Sequence, residues 1–331
     1  MRPARFLKNS ALVLSIAVLT GTALAQSPTK MGEQDILKQP TAAEVQAPAP
    51  SRFGAAPPDE AFGAFQRGLY ITARNLALPK AEAGDAAAQT LLAEIYSRGL
   101  GVPRDIDKAG KYYEAAARQG VPEAQFQYAL MLLKRDPDNS TVKSQAIQLM
   151  RQAADAGNAE AQFNYAQLLL AAQPGSNGQI AAFTYFEKSA NQNVADAQYA
   201  IAQYYALGSG NVVADLKSAR KWLEKAAQRN FETAQLELGN MMLSGVGGAR
   251  DLNGGFSWIN RAAASGNIAA QAALAKLYWG GIGVEPDSSL AAAWFVRARR
   301  AGLRDAVLDD FWEGLSAETQ KAAIERANRL P

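Results

Sequence analysis

Carboxylate and amide side chains recur along this chain every 36 or 37 residues, and they are the groups that could do chemistry. Two series show this spacing: Glu123, Glu160 and Asp196, and Gln167, Gln203 and Asn240. Converging carboxylates with separated pKa values could hydrolyse a substrate. Amides repeated along a groove could instead bond an extended peptide backbone, which repeats its own donors and acceptors. Acids on a solvent-facing stripe are usually only solvated, so we expect no catalysis. For the amides, peptide binding is the hypothesis, and the alternative is that Gln and Asn are simply tolerated at the surface.

The composition excludes most other chemistry. The chain has no His and no Cys. It therefore cannot build a Ser-His-Asp or Cys-His nucleophile, a His-based zinc site, a disulfide or a lipid-modified cysteine. We predict no cofactor and no metal. Beyond Ala25 the 31 Asp and Glu residues are matched by the remaining Lys and Arg, and such a neutral body argues against a nucleic-acid partner.

The N-terminus predicts export. Arg2, Arg5 and Lys8 precede an apolar run at 11–19, and small residues stand at Ala23 and Ala25. This is the layout of a secretory signal peptide cleaved after Ala25, and the run is too short for a membrane anchor. We therefore expect residues 1–25 to be removed and the mature chain to be periplasmic or secreted, without stable membrane insertion.

Residues 26–58 are rich in Pro, Ala and Gln and are predicted to be a disordered linker. Residues 59–80 are predicted to be an N-terminal capping helix pair. Asp59 is its expected N-cap, and Pro79 is expected to end its second helix at Leu78.

A marker Gln then recurs in six successive repeats, which predicts a stacked helical architecture. The six are Gln89, Gln125, Gln162, Gln198, Gln235 and Gln271. Because each stands beside an apolar stripe, we expect it to hydrogen-bond a neighbouring turn. A Gly or Asn near the start of each repeat is expected to close the preceding helix in the left-handed conformation.

Bulky apolar residues occupy fixed places in both helices of every repeat. The first helices carry one row of Leu92, Tyr128, Tyr165, Ile201, Leu238 and Leu274. The second helices carry another of Tyr112, Leu149, Tyr185, Trp222, Trp258 and Trp294. The second row resembles a ligand-stacking ladder, but it is apolar throughout, so we expect it to be core. The Gly-rich loops follow a helix and lack a Walker motif, so they are predicted to be tight connections rather than phosphate sites.

The order Ala-x-Ala-Gln, Leu-Ala/Gly-x-x-Tyr, Gly-x-Gly-Val and Ala-x-x-Trp/Tyr resembles the Sel1-like repeat family, relatives of tetratricopeptide repeats. The resemblance covers residues 81–302 and leaves 303–331 as a C-terminal cap, with Ser316 capping its last helix. It implies an all-α fold, a right-handed superhelical α-solenoid of antiparallel helix pairs. It also implies that the first helices line a concave surface.

Helical spacing from the core stripe marks positions such as 87, 91, 94 and 98 as the solvent stripe of the first helix. The candidate partner-binding residues on this stripe are Glu123, Gln127, Glu160, Asn164, Gln167, Asp196, Gln203, Glu237, Asn240 and Lys276. We expect a monomer that binds a protein or peptide partner of the cell envelope along this face.

The resemblance includes a periplasmic regulator of exopolysaccharide synthesis that restrains a membrane sensor kinase. It therefore implies a non-catalytic scaffold in envelope signalling or a polysaccharide pathway. A peptidoglycan-binding or hydrolysing factor is the alternative, weakened because the family members linked to it carry Cys. A secreted host-contact factor stays open.

Overall fold

The computed structural model describes residues 59–330, so the predicted signal peptide and linker lie outside the described residues. These residues form two compact units, an N-terminal unit (59–172) and a C-terminal unit (173–330). They contain sixteen α-helices and no strand. The helices of the N-terminal unit are α1 (Glu60–Gln66), α2 (Tyr70–Glu82), α3 (Ala86–Arg98), α4 (Ile106–Arg118), α5 (Pro122–Arg135), α6 (Ser140–Asp155) and α7 (Ala159–Ala172). Those of the C-terminal unit are α8 (Ser176–Asn191), α9 (Ala195–Leu207), α10 (Leu216–Gln228), α11 (Glu232–Ser244), α12 (Leu252–Ala264), α13 (Ile268–Gly280), α14 (Ser288–Arg300), α15 (Ala306–Glu313) and α16 (Ala317–Ala327).

Within each unit, helices that follow one another along the chain pack side by side, as the predicted helix pairs require. The helix ends explain the regular lengths. Asp105, Asp215, Asp251 and Asp287 cap second helices by accepting backbone N–H bonds in the first turn. The predicted left-handed residues do close the second helices, including two Asn residues, Asn193 at φ 70° and Asn230 at φ 62°.

The marker Gln residues confirm the structural role predicted for them. Each is buried, and its Nε2 donates to the backbone carbonyl of the residue eight positions earlier, near the end of the preceding helix. The acceptors are Ala81, Ala117, Ala154, Ala190, Ala227 and Ala263. Each of these carbonyls also accepts the backbone N–H of the residue three positions later, so the Gln bond is a second bond to the same oxygen. It ties the end of one helix to the start of the next.

The first capping pair differs from the prediction at one place. Asp59 is the N-cap of α1, as expected, but α2 continues through Pro79 to Glu82. Pro79 falls in the last turn, where its carbonyl still accepts from the N–H of Ala83 at 3.1 Å. The bond from Gln89 to Ala81 holds this turn against α3, which offsets the cost of the proline.

The core row of the second helices lies one residue later than predicted. The fully buried side chains are Tyr113, Met150, Phe186, Leu223, Ile259 and Phe295. In the predicted row only Trp294 is buried, and the other five are half-buried. Three of these half-buried rings carry the cation of the residue three positions later: Lys188 lies 5.3 Å from the Tyr185 centroid, Lys225 lies 3.7 Å from Trp222, and Arg261 lies 5.0 Å from Trp258. These aromatic residues therefore flank the core and reach the surface. The first-helix row from Leu92 to Leu274 is buried, as predicted.

Helices α11 and α12 approach each other more closely than a side chain allows. A Cβ on Gly239 would lie 2.6 Å from Cγ1 of Ile259 and 2.9 Å from the carbonyl of Gly255. The other five repeats have Ala at the position of Gly239. Gly255 faces it, so two glycines let these two backbones meet.

We expect Gly239→Ala to lower the apparent Tm by several degrees, because overpacking a core costs about 1–3 kcal/mol. Gly63→Ala is the matched control, since a Cβ there would meet only Nη1 of Arg67 at 3.7 Å. Gly costs a helix interior about 1 kcal/mol relative to Ala, so this variant should be unchanged or more stable. Thermal unfolding followed by circular dichroism checks both. An equal rise in Tm for the two variants would contradict the close packing.

Candidate functional site

The first-helix surface is the solvent-facing stripe of the first helix of each repeat. It holds the ten predicted partner-binding residues. Only Glu160 and Asn240 among them are exposed, and the other eight are half-buried. The predicted solvent stripe is wrong at its second position, since Leu91 is 4% exposed. The residues at the equivalent position in the other five repeats are half-buried.

In the N-terminal unit the predicted residues bond mainly to one another and to the next helix. Glu123 accepts from the Nε2 of Gln127 at 3.1 Å and from the Nδ2 of Asn158, at the start of α7, at 2.9 Å. Asn164 donates to the backbone carbonyl of Glu160. Gln167 is half-buried on α7. The Glu123–Asn158 bond joins α5 to the residue just before α7, and the other two bonds lie within one helix.

In the C-terminal unit three side chains meet on one carboxylate. Tyr199 donates its hydroxyl to Oε1 of Glu237 at 2.7 Å, and Gln203 donates its Nε2 to Oε2 at 2.8 Å. The Tyr199 ring also packs 5.1 Å from the ring of Phe231, the N-cap residue of α11. Glu237 is thus fixed by two donors from α9, and exposed Asn240 lies one helical turn further along α11.

Burial sets the electrostatics of this cluster. It raises the pKa of Glu237, and the hydrogen bonds from Tyr199 and Gln203 offset that rise only in part. Burial and the nearby Glu237 carboxylate raise the pKa of Tyr199, which stays a donor. Burial also raises the pKa of Asp196. Among the described residues no Lys or Arg forms an ion pair with Glu237.

Lys276 is placed differently from the other candidates. Its Nζ pairs with Asp305, the N-cap residue of α15, and so ties α13 to the C-terminal helices. The Lys276 ammonium group is therefore already paired within the protein.

Sequence reasoning missed the donors that organise the Glu237 cluster. Tyr199 directly follows the marker Gln198, and the equivalent position is Thr90, Phe126, Phe163, Leu236 or Ala272 in other repeats. A hydroxyl-bearing ring at a position that is mostly apolar elsewhere is the signal that could have found it.

The Glu237 carboxylate is half-buried and accepts hydrogen bonds from two neutral groups. A carboxylate held by two neutral donors keeps its negative charge unmatched and is positioned to accept a Lys or Arg side chain. In the span 59–330 no three His, Cys, Asp or Glu residues are grouped so as to hold a metal ion. Between the same limits no helix is both long and apolar enough to cross a bilayer.

The family model of the Sel1 repeat matches six consecutive segments, 86–121, 122–158, 159–194, 195–231, 233–267 and 268–303. Together they span more than half of the sequence. The chain belongs to the Sel1 repeat family. Sel1 repeats generally form scaffolds for protein–protein interaction, and the helix pairs joined by Gln bonds are the form the repeats take here.

Two solved structures show the same architecture. One is a protective antigen of uropathogenic Escherichia coli with an SLR fold, similar at a TM-score of 0.69 and 27% identity over 82% of this chain. The present chain spans 60% of that protein's length. The other is a Sel1 repeat protein from Oxalobacter formigenes, similar at a TM-score of 0.61 and 24% identity over 74% of this chain and 97% of that one. A comparison with curated protein sequences finds no match.

The pH dependence of stability tests the environment of Glu237. A raised pKa means that the folded protein holds this proton more tightly than the unfolded chain, so Glu237 lowers stability as pH rises above its ordinary value of 4.5. We expect Glu237→Gln to have a higher apparent Tm than the wild type at about pH 7 and a similar Tm at about pH 3.5. Tyr199→Phe removes a hydrogen-bond donor to the ionised Glu237 carboxylate. The apparent Tm of this variant should therefore fall more steeply than that of the wild type as pH rises. A Tm difference for Glu237→Gln that is the same at both pH values would contradict this assignment.

Proposed function

We propose that this Sel1 repeat protein is an exported, non-catalytic scaffold that binds a protein or peptide partner of the bacterial envelope along its first-helix surface. The observation that carries the proposal is the Glu237 carboxylate, held by Tyr199 and Gln203 without a cation. Burying the Glu237 carboxylate costs desolvation free energy. A charge-assisted hydrogen bond from a cationic partner group would offset that cost.

The distribution of charge in the C-terminal unit supports a basic partner segment. The first helices α9, α11 and α13 carry three acidic residues and one Lys, whereas the second helices α8, α10, α12 and α14 carry nine Lys or Arg and two Glu. A basic segment is therefore favoured at the first-helix surface and repelled from the opposite side. The exposed amide of Asn240 adds a group that can bond the backbone of that segment.

The expected pathway follows from the family resemblance. Sel1-like relatives act in envelope signalling and exopolysaccharide regulation, and a sensor kinase of the envelope is the class of partner we propose here. The binding surface needs no enzymatic step, because recognition of a Lys or Arg side chain is sufficient to hold such a partner.

Site-specific photo-crosslinking tests this surface. We expect a photoreactive residue at Asn240 to crosslink an envelope protein in living cells, and the same residue at exposed Ser257 on α12 to give no such product. Glu237→Gln keeps the shape of the cluster and removes its charge, so the Asn240 crosslink should fall by about tenfold. Glu224→Gln is the matched control, because Glu224 is an exposed residue of α10. It should leave the crosslink unchanged. An undiminished crosslink in Glu237→Gln would overturn the proposal.

Export has its own test. We expect the protein recovered from the periplasmic fraction to have an intact mass that begins at Gln26. Ala25→Phe places a bulky side chain at the cleavage position, so the uncleaved precursor should accumulate. Wild-type protein that keeps residues 1–25, or that stays in the cytoplasm, would contradict export.

A further inference from the structure

An open cavity in the N-terminal unit is lined by residues of α4, α5 and α6 and of the turn between α4 and α5. Its volume is about 230 Å³. It is lined by Ala117, Gln125 and Tyr128 and by Leu149 and Gln152 of α6. Glu114 lines it from α4. Pockets for whole small-molecule ligands measure about 300–1,000 Å³, so this one has the size for a single side chain.

The cavity exists because of one residue in the row of bulky second-helix residues that runs from Tyr112 to Trp294. Leu149 takes the place that Tyr or Trp occupies in the other five repeats. The C-terminal unit shows what the larger ring does there. Trp258 packs against a buried cluster that includes Ala227 and Leu238, the equivalents of Ala117 and Tyr128. An indole ring thus packs against the cluster in the C-terminal unit that corresponds to the residues around Leu149.

The marker Gln beside this cavity donates to two acceptors. Gln125 Nε2 lies 3.4 Å from the Ala117 carbonyl and 3.4 Å from Oε1 of Gln152. The matching bond to the preceding helix is 3.1–3.3 Å in the other five repeats. A ring seated in the cavity would shield these two amides from water, which strengthens their hydrogen bonds.

The cavity wall also offers polar groups. Glu114 pairs with Arg118 at one edge, and its carboxylate has further acceptor sites. Burial and the nearby Glu114 carboxylate raise the pKa of Tyr128, which keeps that phenol neutral. A buried indole N–H or phenol O–H requires an acceptor, so this edge suits Trp or Tyr better than Phe.

We propose that this cavity is a docking site for an aromatic side chain, Trp or Tyr, of a partner protein. The docked ring takes the place that Trp258 fills in its own repeat. Aromatic side chains inserted into pockets are the commonest energetic anchors of protein interfaces. This site is built from α4, α5 and α6 of the N-terminal unit and contains none of the ten candidate partner-binding residues, so it does not depend on the Glu237 cluster.

The test uses the mature chain and a fluorinated N-acetyl-tryptophanamide followed by ¹⁹F NMR. We expect saturable binding at roughly millimolar probe, a weak affinity that suits a single side chain. N-acetyl-alaninamide should not compete with it. Leu149→Trp fills the cavity with the chain's own ring, so probe affinity should fall by about tenfold or more while the apparent Tm rises. Circular dichroism shows that the variant is folded.

A gain-of-site variant makes the test two-sided. Trp258→Leu opens the equivalent place in the C-terminal unit, and probe stoichiometry should rise from one to two. Unchanged affinity in Leu149→Trp, or no saturable binding to the wild type, would overturn the proposal. The Asn240 crosslink should be the same in Leu149→Trp and the wild type, so failure here is distinguishable from failure of the proposed function.

Discussion

The architecture depends on one hydrogen bond, from the marker Gln of each repeat to a carbonyl in the last turn of the preceding helix. It joins the end of one repeat to the start of the next, and the Gln side chain is buried in all six repeats. The donor half of the amide is the essential one. Within residues 59–330, the buried Oε1 atoms of Gln198 and Gln235 have no hydrogen-bond partner, yet both Nε2 groups donate to a carbonyl. Each acceptor carbonyl already accepts the backbone N–H of the residue three positions later, so the Gln bond is a second bond to that oxygen. It satisfies the buried Nε2 of the Gln and links two helices, and such a bond contributes about 0.5–1.5 kcal/mol.

This bond is also why the fold could be predicted well from the sequence. A residue needed once per repeat leaves a period, and the period determines helix pairs, their lengths and the turns between them. The repeat period does not show which of two adjacent bulky side chains points into the core. Second helices carry two bulky residues in succession, such as Trp222 and Leu223 or Trp258 and Ile259. Adjacent helical residues point about 100° apart, and composition cannot say which of the two points inward. Hence the core row was predicted one residue too early.

The candidate site was predictable in position but not in contacts. Glu237, Gln203 and Asn240 follow from helical spacing, because that spacing marks the outer side of the first helix. The bonds of Glu237 to Tyr199 and Gln203 depend on how far α11 is shifted along α9, which is a property of packing. Lys276 shows the same limit, since its partner Asp305 lies 29 residues away at the start of another helix.

Once the Gln bond and the helix caps hold each repeat, positions at the edge of the core are free to vary. Tyr, Trp and Leu all occur at the position of Leu149. A second variable position, two residues after the marker Gln, holds Leu91, Gln127, Asn164, Ala200, Glu237 and Ala273. A departure from the other repeats at such a position changes the surface without disturbing the stack. Leu149 opens a cavity, and Glu237 introduces a half-buried charge. In a protein built from near-identical repeats, binding sites are therefore to be sought where one repeat differs from its neighbours at the edge of the core, because the shared residues are already committed to holding the repeats together.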